Sequence, residues 1–383
     1  MRLPAFASAH SHAFQRAMRG QAQRPSPGGP GGSSGPGGRD DFWSWRGAMY
    51  GLAASLDPES IARISAVAFA ELAAAGVRTV GEFHYVHHQP DGTPYADRTI
   101  LADAVIAAAR GAGLRIALLR VAYGRAGAGL PPEPGQRRFC DADPEQVLAD
   151  VEALRRKHRG DRDVVIGLAP HSVRAVPPDW LRVLAEGAES LGAPLHMHVA
   201  EQPREIEACL AETGKRPVEL LAERGVLAAS VGRFVAVHAT HLAPHEARLL
   251  GEASAFACIC PTTERDLGDG LPDLRALRDA GVRLCVGVDS HVVCDPLEEL
   301  RALETGERLR TLSRVTFTPQ AGTPAEALWR EGSVHGALAC GFPDAGGEVA
   351  IDVDDPSLAL VAEDRRLDAV VFGAAGRVVR RAW

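Results

Sequence analysis

Eight short runs rich in aliphatic and β-branched residues recur along the chain, with helical patterns between them. They lie at 6–12, 77–84 (VRTVGEFH), 114–122 (LRIALLRVA), 163–170 (DVVIGLAP), 194–200 (PLHMHVA), 233–239 (RFVAVHA), 255–260 (AFACIC) and 282–289 (VRLCVGVD). The first is the weakest by propensity. The spacers include PESIARISAVAFAELAAAG at 58–76, PEQVLADVEALRRKH at 144–158 and PREIEACLAETG at 203–214, each opening on proline. A proline tolerated in the first turn and a glycine at the stop delimit helices. Strands that alternate with helices must run parallel, and eight of them close into a (β/α)8 barrel of the TIM type. We expect that barrel over residues 1–345. Beyond Gly346 the pattern changes to short strand-like runs, AVVF at 369–372 among them. Residues 346–383 are expected to form a small β appendage without a long helix. The tract PSPGGPGGSSGPGG at 25–38 is low in complexity, so 25–40 is expected to be a flexible loop within the barrel domain.

Composition excludes several classes. Hydrophobic residues make up 46% of the 383 and charged residues 24%, the balance of a globular protein with a sizeable core. A net charge of −7 argues against nucleic-acid binding. The seven cysteines form no CxxC pair, which suits reduced thiols and a cytoplasmic location. The opening MRLPAFASAH lacks the apolar stretch of a signal peptide, and no run is long enough to span a membrane.

Chemistry-bearing residues gather where the strands end. In HSHAFQR (10–16), His10 and His12 are two apart and share one face of a strand. His196 and His198 do the same in HMHVAEQ, with Glu201 just beyond; VHATH supplies His238 and His241; VGVDSH supplies Asp289 and His291. Barrel enzymes carry their chemistry at the C-terminal strand ends. One such coincidence is explicable by chance, but hardly four. Three histidines, one aspartate and a water suit a catalytic zinc, which lowers the pKa of its water toward ~7. Glu201 is placed to move protons beside it.

This set of HxH, HxxE, H and D resembles the amidohydrolase superfamily, in its deaminase branch. FWSWR (42–46), EFHYVHH (82–88), HSVRAV (171–176) and DLGDG (266–270) extend the resemblance from residue 3 to about residue 310. It implies one zinc per chain held by His10, His12, His198 and Asp289. It implies Glu201, His238 and Asp289 as catalytic groups, and a substrate pocket of Gln15, Arg46, Tyr85, His171 and Arg174. A second, bridged metal would need a lysine on a barrel strand, and both lysines, Lys157 and Lys215, fall in helical stretches. The implied reaction is hydrolysis of N-formimino-L-glutamate to N-formyl-L-glutamate and ammonia in histidine degradation. Arg46 and Arg174 offer planar forks for the two carboxylates of this diacid. The alternatives are a related deaminase acting on another amidine, guanidine or aminated ring, and a metal-binding remnant without catalysis.

The plainer readings are these. His196 packs or hydrogen-bonds. His84, His87 and His241 are second-layer or loop residues, His88 is a polar loop residue, and His291 either assists or sits in an exposed loop. Cys258 and Cys260 are small buried hydrophobes. Members of the superfamily usually carry several dozen residues ahead of the HxH strand that pair with C-terminal strands in a β-sandwich. The appendage is therefore expected to lack half its partners, and to fray or to pair with another chain, a possible homodimer.

Overall fold

The structure, a computed structural model, describes residues 1–24, 40–319 and 322–383. The expected loop at 25–40 lies, but for its last residue, outside them.

After a short strand β1 (Arg2–Pro4), eight strands form one parallel sheet in chain order: β2 (Phe6–Ser11), β3 (Val77–His84), β4 (Arg115–Ala122), β5 (Val164–Pro170), β6 (Leu195–Val199), β7 (Phe234–His238), β8 (Phe256–Ile259) and β9 (Arg283–Val286). Helices cross over between them, so the alternation read from the sequence is the architecture. The seam between β9 and β2 is closed just beyond β9. Asp289 N–H donates to His10 O at 3.2 Å, and His12 N–H donates to Asp289 O at 2.9 Å. Gly287 permits this approach: a Cβ there would lie 2.7 Å from the Cβ of His10.

The strands are buried on both faces, as parallel strands covered by helices must be. The helix Pro58–Ala74 illustrates the outer layer. Asp57 accepts from Ser60 N–H, Pro58 occupies the first turn, and Ile61, Ser65, Ala68, Phe69 and Leu72 form the buried stripe. Burial of Ile61, Phe69 or Leu72 contributes about 1.5–3 kcal/mol each. Phe69→Ala would cost about 3–5 kcal/mol through the cavity it leaves.

The tail departs from expectation in two ways. The segment β10 (Glu348–Ile351) is the centre of a three-stranded antiparallel sheet, with β1 on one side and β11 (Val379–Arg381) on the other. Leu3 opposes Val349, and Ala350 opposes Arg380. The partner thought to be missing comes from residues 2–4. Second, AVVF is not a strand: it lies in the helix Arg366–Gly373. Val370 and Val371 are fully buried there, with the helix packed against Pro296–Thr311 and Pro324–Arg330. Tertiary burial has overridden the β-propensity of two valines.

Candidate active site

The side chains singled out above converge at the C-terminal mouth of the barrel. His10 Nε2 lies 3.2 Å from His12 Nε2 and 3.2 Å from His198 Nε2. Asp289 Oδ1 lies 3.5 Å from His10 Nε2 and 3.4 Å from His12 Nε2. A tetrahedral ion with bonds of about 2.0–2.1 Å needs ligand atoms about 3.3 Å apart, and the spacings among His10, His12 and Asp289, and between His10 and His198, fit a zinc-sized cation.

Donor chemistry agrees. A carbonyl can only accept, so His12 Nδ1–H must donate to Phe83 O (3.0 Å) and His198 Nδ1–H to His171 O (3.1 Å). Each ring then turns the lone pair of Nε2 inward. His10 Nδ1 has no partner among the described residues. Burial lowers the pKa of all three rings, that of His10 to about 3, so they are neutral donors. The lone pairs of His12 and His198 both face His10 Nε2 at 3.2 Å, an arrangement in which all three rings can share one cation. Burial acts to raise Asp289, but the histidines that flank it, His10 foremost, outweigh that and hold it ionised.

His238 stands beside this nest. Its Nε2 lies 3.6 Å from Glu201 Oε1 and 3.8 Å from Asp289 Oδ2, and its Nδ1 lies 3.2 Å from Glu264 Oε1. Burial works against charge on His238, but Glu201, Glu264 and Asp289 overcome it and push its pKa up to about 10. Glu201 is raised by burial, against the pull of His238 and with the push of Asp289. Backbone geometry concentrates here too. Ala200, His238, Ala239, Asp289 and His291 all have positive φ, +67° at His238 and +49° at Asp289. Each such residue costs on the order of 1–3 kcal/mol and persists because its surroundings impose it. The strands stop in these kinks, which turn the side chains over the mouth.

A narrow, partly open cleft leads from the nest past Gln15, Tyr85, His171 and Glu201 to Arg46 and Arg174. Gln15 Nε2 donates to Tyr85 Oη at 2.9 Å. The His171 ring lies 4.9 Å from that of His198 and 4.8 Å from that of Tyr123. Neither Arg46 nor Arg174 has a salt bridge among the described residues, whereas Arg120, deeper in the barrel, is clamped by Asp141 (2.6 Å) and Asp150 (2.7 Å). Arg46 lies over the Trp43 ring at 4.6 Å, its Nη1 is buried without a partner, and its pKa is lowered by burial and by Arg174.

All residues singled out as ligands, catalytic groups or pocket residues thus meet in one place. Several neighbours were not foreseen. Glu264 opens the helix Pro261–Leu267, accepts from Cys260 N–H at 2.9 Å and holds His238. Asp269 is buried, accepts from Gln202 Nε2, and has a carboxyl pushed up to about 9 by burial and by Glu201. It sits in the DLGDG motif, the only signal that pointed to it. Tyr50, Tyr123 and Gln136 carry none.

The other histidines are structural in their contacts. His196 Nε2 donates to Ala339 O. His88 lies in the loop after β3 but is buried, and its Nε2 donates to Cys140 O at 3.0 Å. His291 is also buried, not exposed, with Nε2 2.8 Å from Ser11 Oγ, whose hydroxyl donates to Glu82. Cys258 and Cys260 are fully buried. No barrel strand carries a lysine: Lys157 ends a helix and Lys215 lies in the bend between two.

The chain matches the Amidohydrolase family over residues 1–379 and belongs to it. The formimidoylglutamate deiminase of Pseudomonas aeruginosa is 38% identical over 393 aligned residues, covering 99% of this chain and 82% of that protein. The 8-oxoguanine deaminase of the same organism is 31% identical, covering 85% of this chain and 67% of its own. Among solved structures, an amidohydrolase from Brucella melitensis has a TM-score of 0.86 at 36% identity, covering 99% of this chain and 82% of that one. The chain is a hydrolase of carbon–nitrogen bonds, of the deaminase kind. No helix among the described residues is long and apolar enough to cross a membrane.

Proposed function

We propose that the protein hydrolyses N-formimino-L-glutamate to N-formyl-L-glutamate and ammonia, as a step of histidine degradation, using one zinc ion held by His10, His12, His198 and Asp289. The observation that carries the reading is the cleft itself. Ligand atoms of His10, His12 and Asp289 gather at one end, with His198 Nε2 3.2 Å from His10 Nε2, and two guanidiniums without carboxylate partners among the described residues lie at the other. A substrate with a hydrolysable carbon–nitrogen head and two carboxylates complements both ends. The similarity to the Pseudomonas aeruginosa formimidoylglutamate deiminase supports the same choice.

Zinc bound in the nest would supply Lewis-acid activation of a water at neutral pH. The protein's own groups do the rest. His238 and Asp289 orient the water against the formimino carbon, which is bonded to two nitrogens. Glu201, its pKa raised by burial, delivers a proton to the departing nitrogen, so that neutral ammonia leaves rather than an amide anion. The carbon–oxygen bond forms, the carbon–nitrogen bond breaks, and the formyl group stays on glutamate. Gln15, Tyr85 and His171 wall the path of the substrate, and Arg46 and Arg174 bind its carboxylates.

The test is ammonia release from N-formimino-L-glutamate by protein of measured zinc content, beside N-formyl-L-glutamate, guanine and cytosine. Turnover of the first alone supports the proposal. Preference for an aminated ring would replace it with the ring-deaminase reading, and two tightly bound metals per active chain would overturn the one-zinc site.

A further inference from the structure

Two phenols and an amide at the outer end of the cleft raise a question of hydrogen-bond valence. Gln136 is fully buried, and its Oε1 accepts from Glu133 N–H at 2.8 Å. That backbone donor fixes the amide's orientation, so Nε2 must face the two tyrosines. It donates to Tyr50 Oη at 3.1 Å and to Tyr123 Oη at 3.0 Å. The two hydroxyl oxygens lie 3.4 Å apart. Two phenols hold two protons, and only one can be accepted by the other oxygen. Arg174 Nη1 also approaches Tyr123 Oη, at 3.5 Å, so with Gln136 it occupies the lone pairs of Tyr123. The consistent arrangement has Tyr123 donating to Tyr50. The Tyr50 O–H is then left without an acceptor among the described residues, beside the guanidiniums of Arg46 and Arg174, neither of which has a carboxylate partner among them.

We infer that Tyr50, oriented by Gln136 and Tyr123, donates to the side-chain carboxylate of the substrate and completes a subsite with Arg46 and Arg174. The inference rests on the diacid reading above and adds a specificity-determining residue to it. The choice of the side-chain carboxylate follows from position. The Tyr123 ring lies 4.8 Å from His171, which lies 4.9 Å from His198, and Tyr50 stands beyond Tyr123. The hydroxyl pair is therefore two ring contacts out from the metal-side histidines. The α-carboxylate, one carbon from the formimino nitrogen, stays nearer the nest. Tyr50 also packs under Arg46, whose guanidinium carbon lies 5.4 Å from its ring centre, so phenol and guanidinium face the same part of the cleft.

The experiment is calorimetric titration of the zinc-loaded protein and of Tyr50→Phe with glutarate and with butyrate, followed by kcat/KM for N-formimino-L-glutamate and N-formiminoglycine. Glutarate supplies the second carboxylate and butyrate lacks it, and binding requires no turnover. We expect Tyr50→Phe to weaken glutarate about tenfold with little change for butyrate. The kcat/KM ratio of N-formimino-L-glutamate to N-formiminoglycine should fall by a similar factor, through KM rather than kcat. Gln136→Leu, which removes both donors that hold the phenols, should shift the glutarate-to-butyrate ratio in the same direction by less. Equal loss for both acids in Tyr50→Phe, or no loss, overturns the subsite, as does a wild-type protein that binds glutarate no better than butyrate. Glutarate selectivity that depends on Tyr50 in a protein that releases no ammonia would uphold the subsite and reject the reaction.

Discussion

Two groups of three histidines are buried in this barrel. His10, His12 and His198 turn their Nε2 atoms toward a common point with Asp289. His84, His87 and His88 come from the end of β3 and the loop after it, with rings as close as 5.4 Å. In that second group, His87 Nε2–H donates to Val121 O at 2.9 Å and His88 Nε2–H to Cys140 O at 3.0 Å. The charged neighbours differ most. An aspartate completes the first group. In the second, burial and then Arg120 lower His84 and His87, and Asp141, 4.0 Å from His88 Nε2, is clamped by Arg120 at 2.6 Å. The carboxylate of the first group faces its histidines, whereas that beside the second is taken up by a guanidinium. Burial and histidine density are alike in both, so neither marks a metal site; convergence of lone pairs on a point that also faces a carboxylate does.

The strongest way to break this contrast is to remove the carboxylate. Asp289→Ala should lose zinc, read by elemental analysis, and reduce ammonia release by about 10³-fold or more. Retention of a full equivalent of zinc would mean that the histidines alone define the site. Glu201→Gln should instead keep its zinc and lose about 10²- to 10⁴-fold in kcat, separating proton delivery from metal binding. Normal turnover in that variant would remove Glu201 from the mechanism. Arg174→Met should weaken transition-state binding of the diacid by about 2–5 kcal/mol, with zinc content intact; an unchanged kcat/KM would shift the charge pairing to Arg46.

The second group should respond in stability alone. His87→Gln should cost about 1–3 kcal/mol in denaturant unfolding and leave zinc content unchanged. Loss of metal there would mean that the two groups are coupled. Acid sharpens the same point. Burial, then the charge of Arg120, lowers His84 to about 3 and also lowers His87. In the unfolded chain these groups titrate near their ordinary value of 6.5. Between about 3 and 6.5 the unfolded state therefore binds more protons, and the stability present above pH 6.5 is lost as pH falls. The unfolding midpoint should drop below pH 6.5, with a shallower slope in His87→Gln. A flat profile across that range would mean that these rings are not buried neutral.

The sequence carried the barrel because parallel strands under helices leave a periodic trace, and each of the eight runs became a strand within a few residues. It carried His10 and His12 because strand geometry puts i and i+2 on one face. Glu264, Asp269, Tyr50, Tyr123 and Gln136 were not legible as site residues because the strand ends, loops and helices that carry them around the mouth follow no shared period. AVVF misled because its local preference favours a strand, while its burial against two distant helices is a tertiary fact. The partner of β10 was missed because three residues, Arg2–Pro4, are too few to register as a strand.

The seam between β2 and β9 has a consequence for the order of assembly. Ser11 and His291, which meet across it, are 280 residues apart along the chain. A ribosome delivers His10 and His12 early and Asp289 only after most of the barrel has emerged. No partly made chain can present the full ligand set, so an ion captured early is held by the weaker histidine pair alone and exchanges freely. Zinc loaded after the seam closes would join two ends of a very long loop, and should therefore slow the opening of the whole barrel more than that of any single hairpin or helix within it.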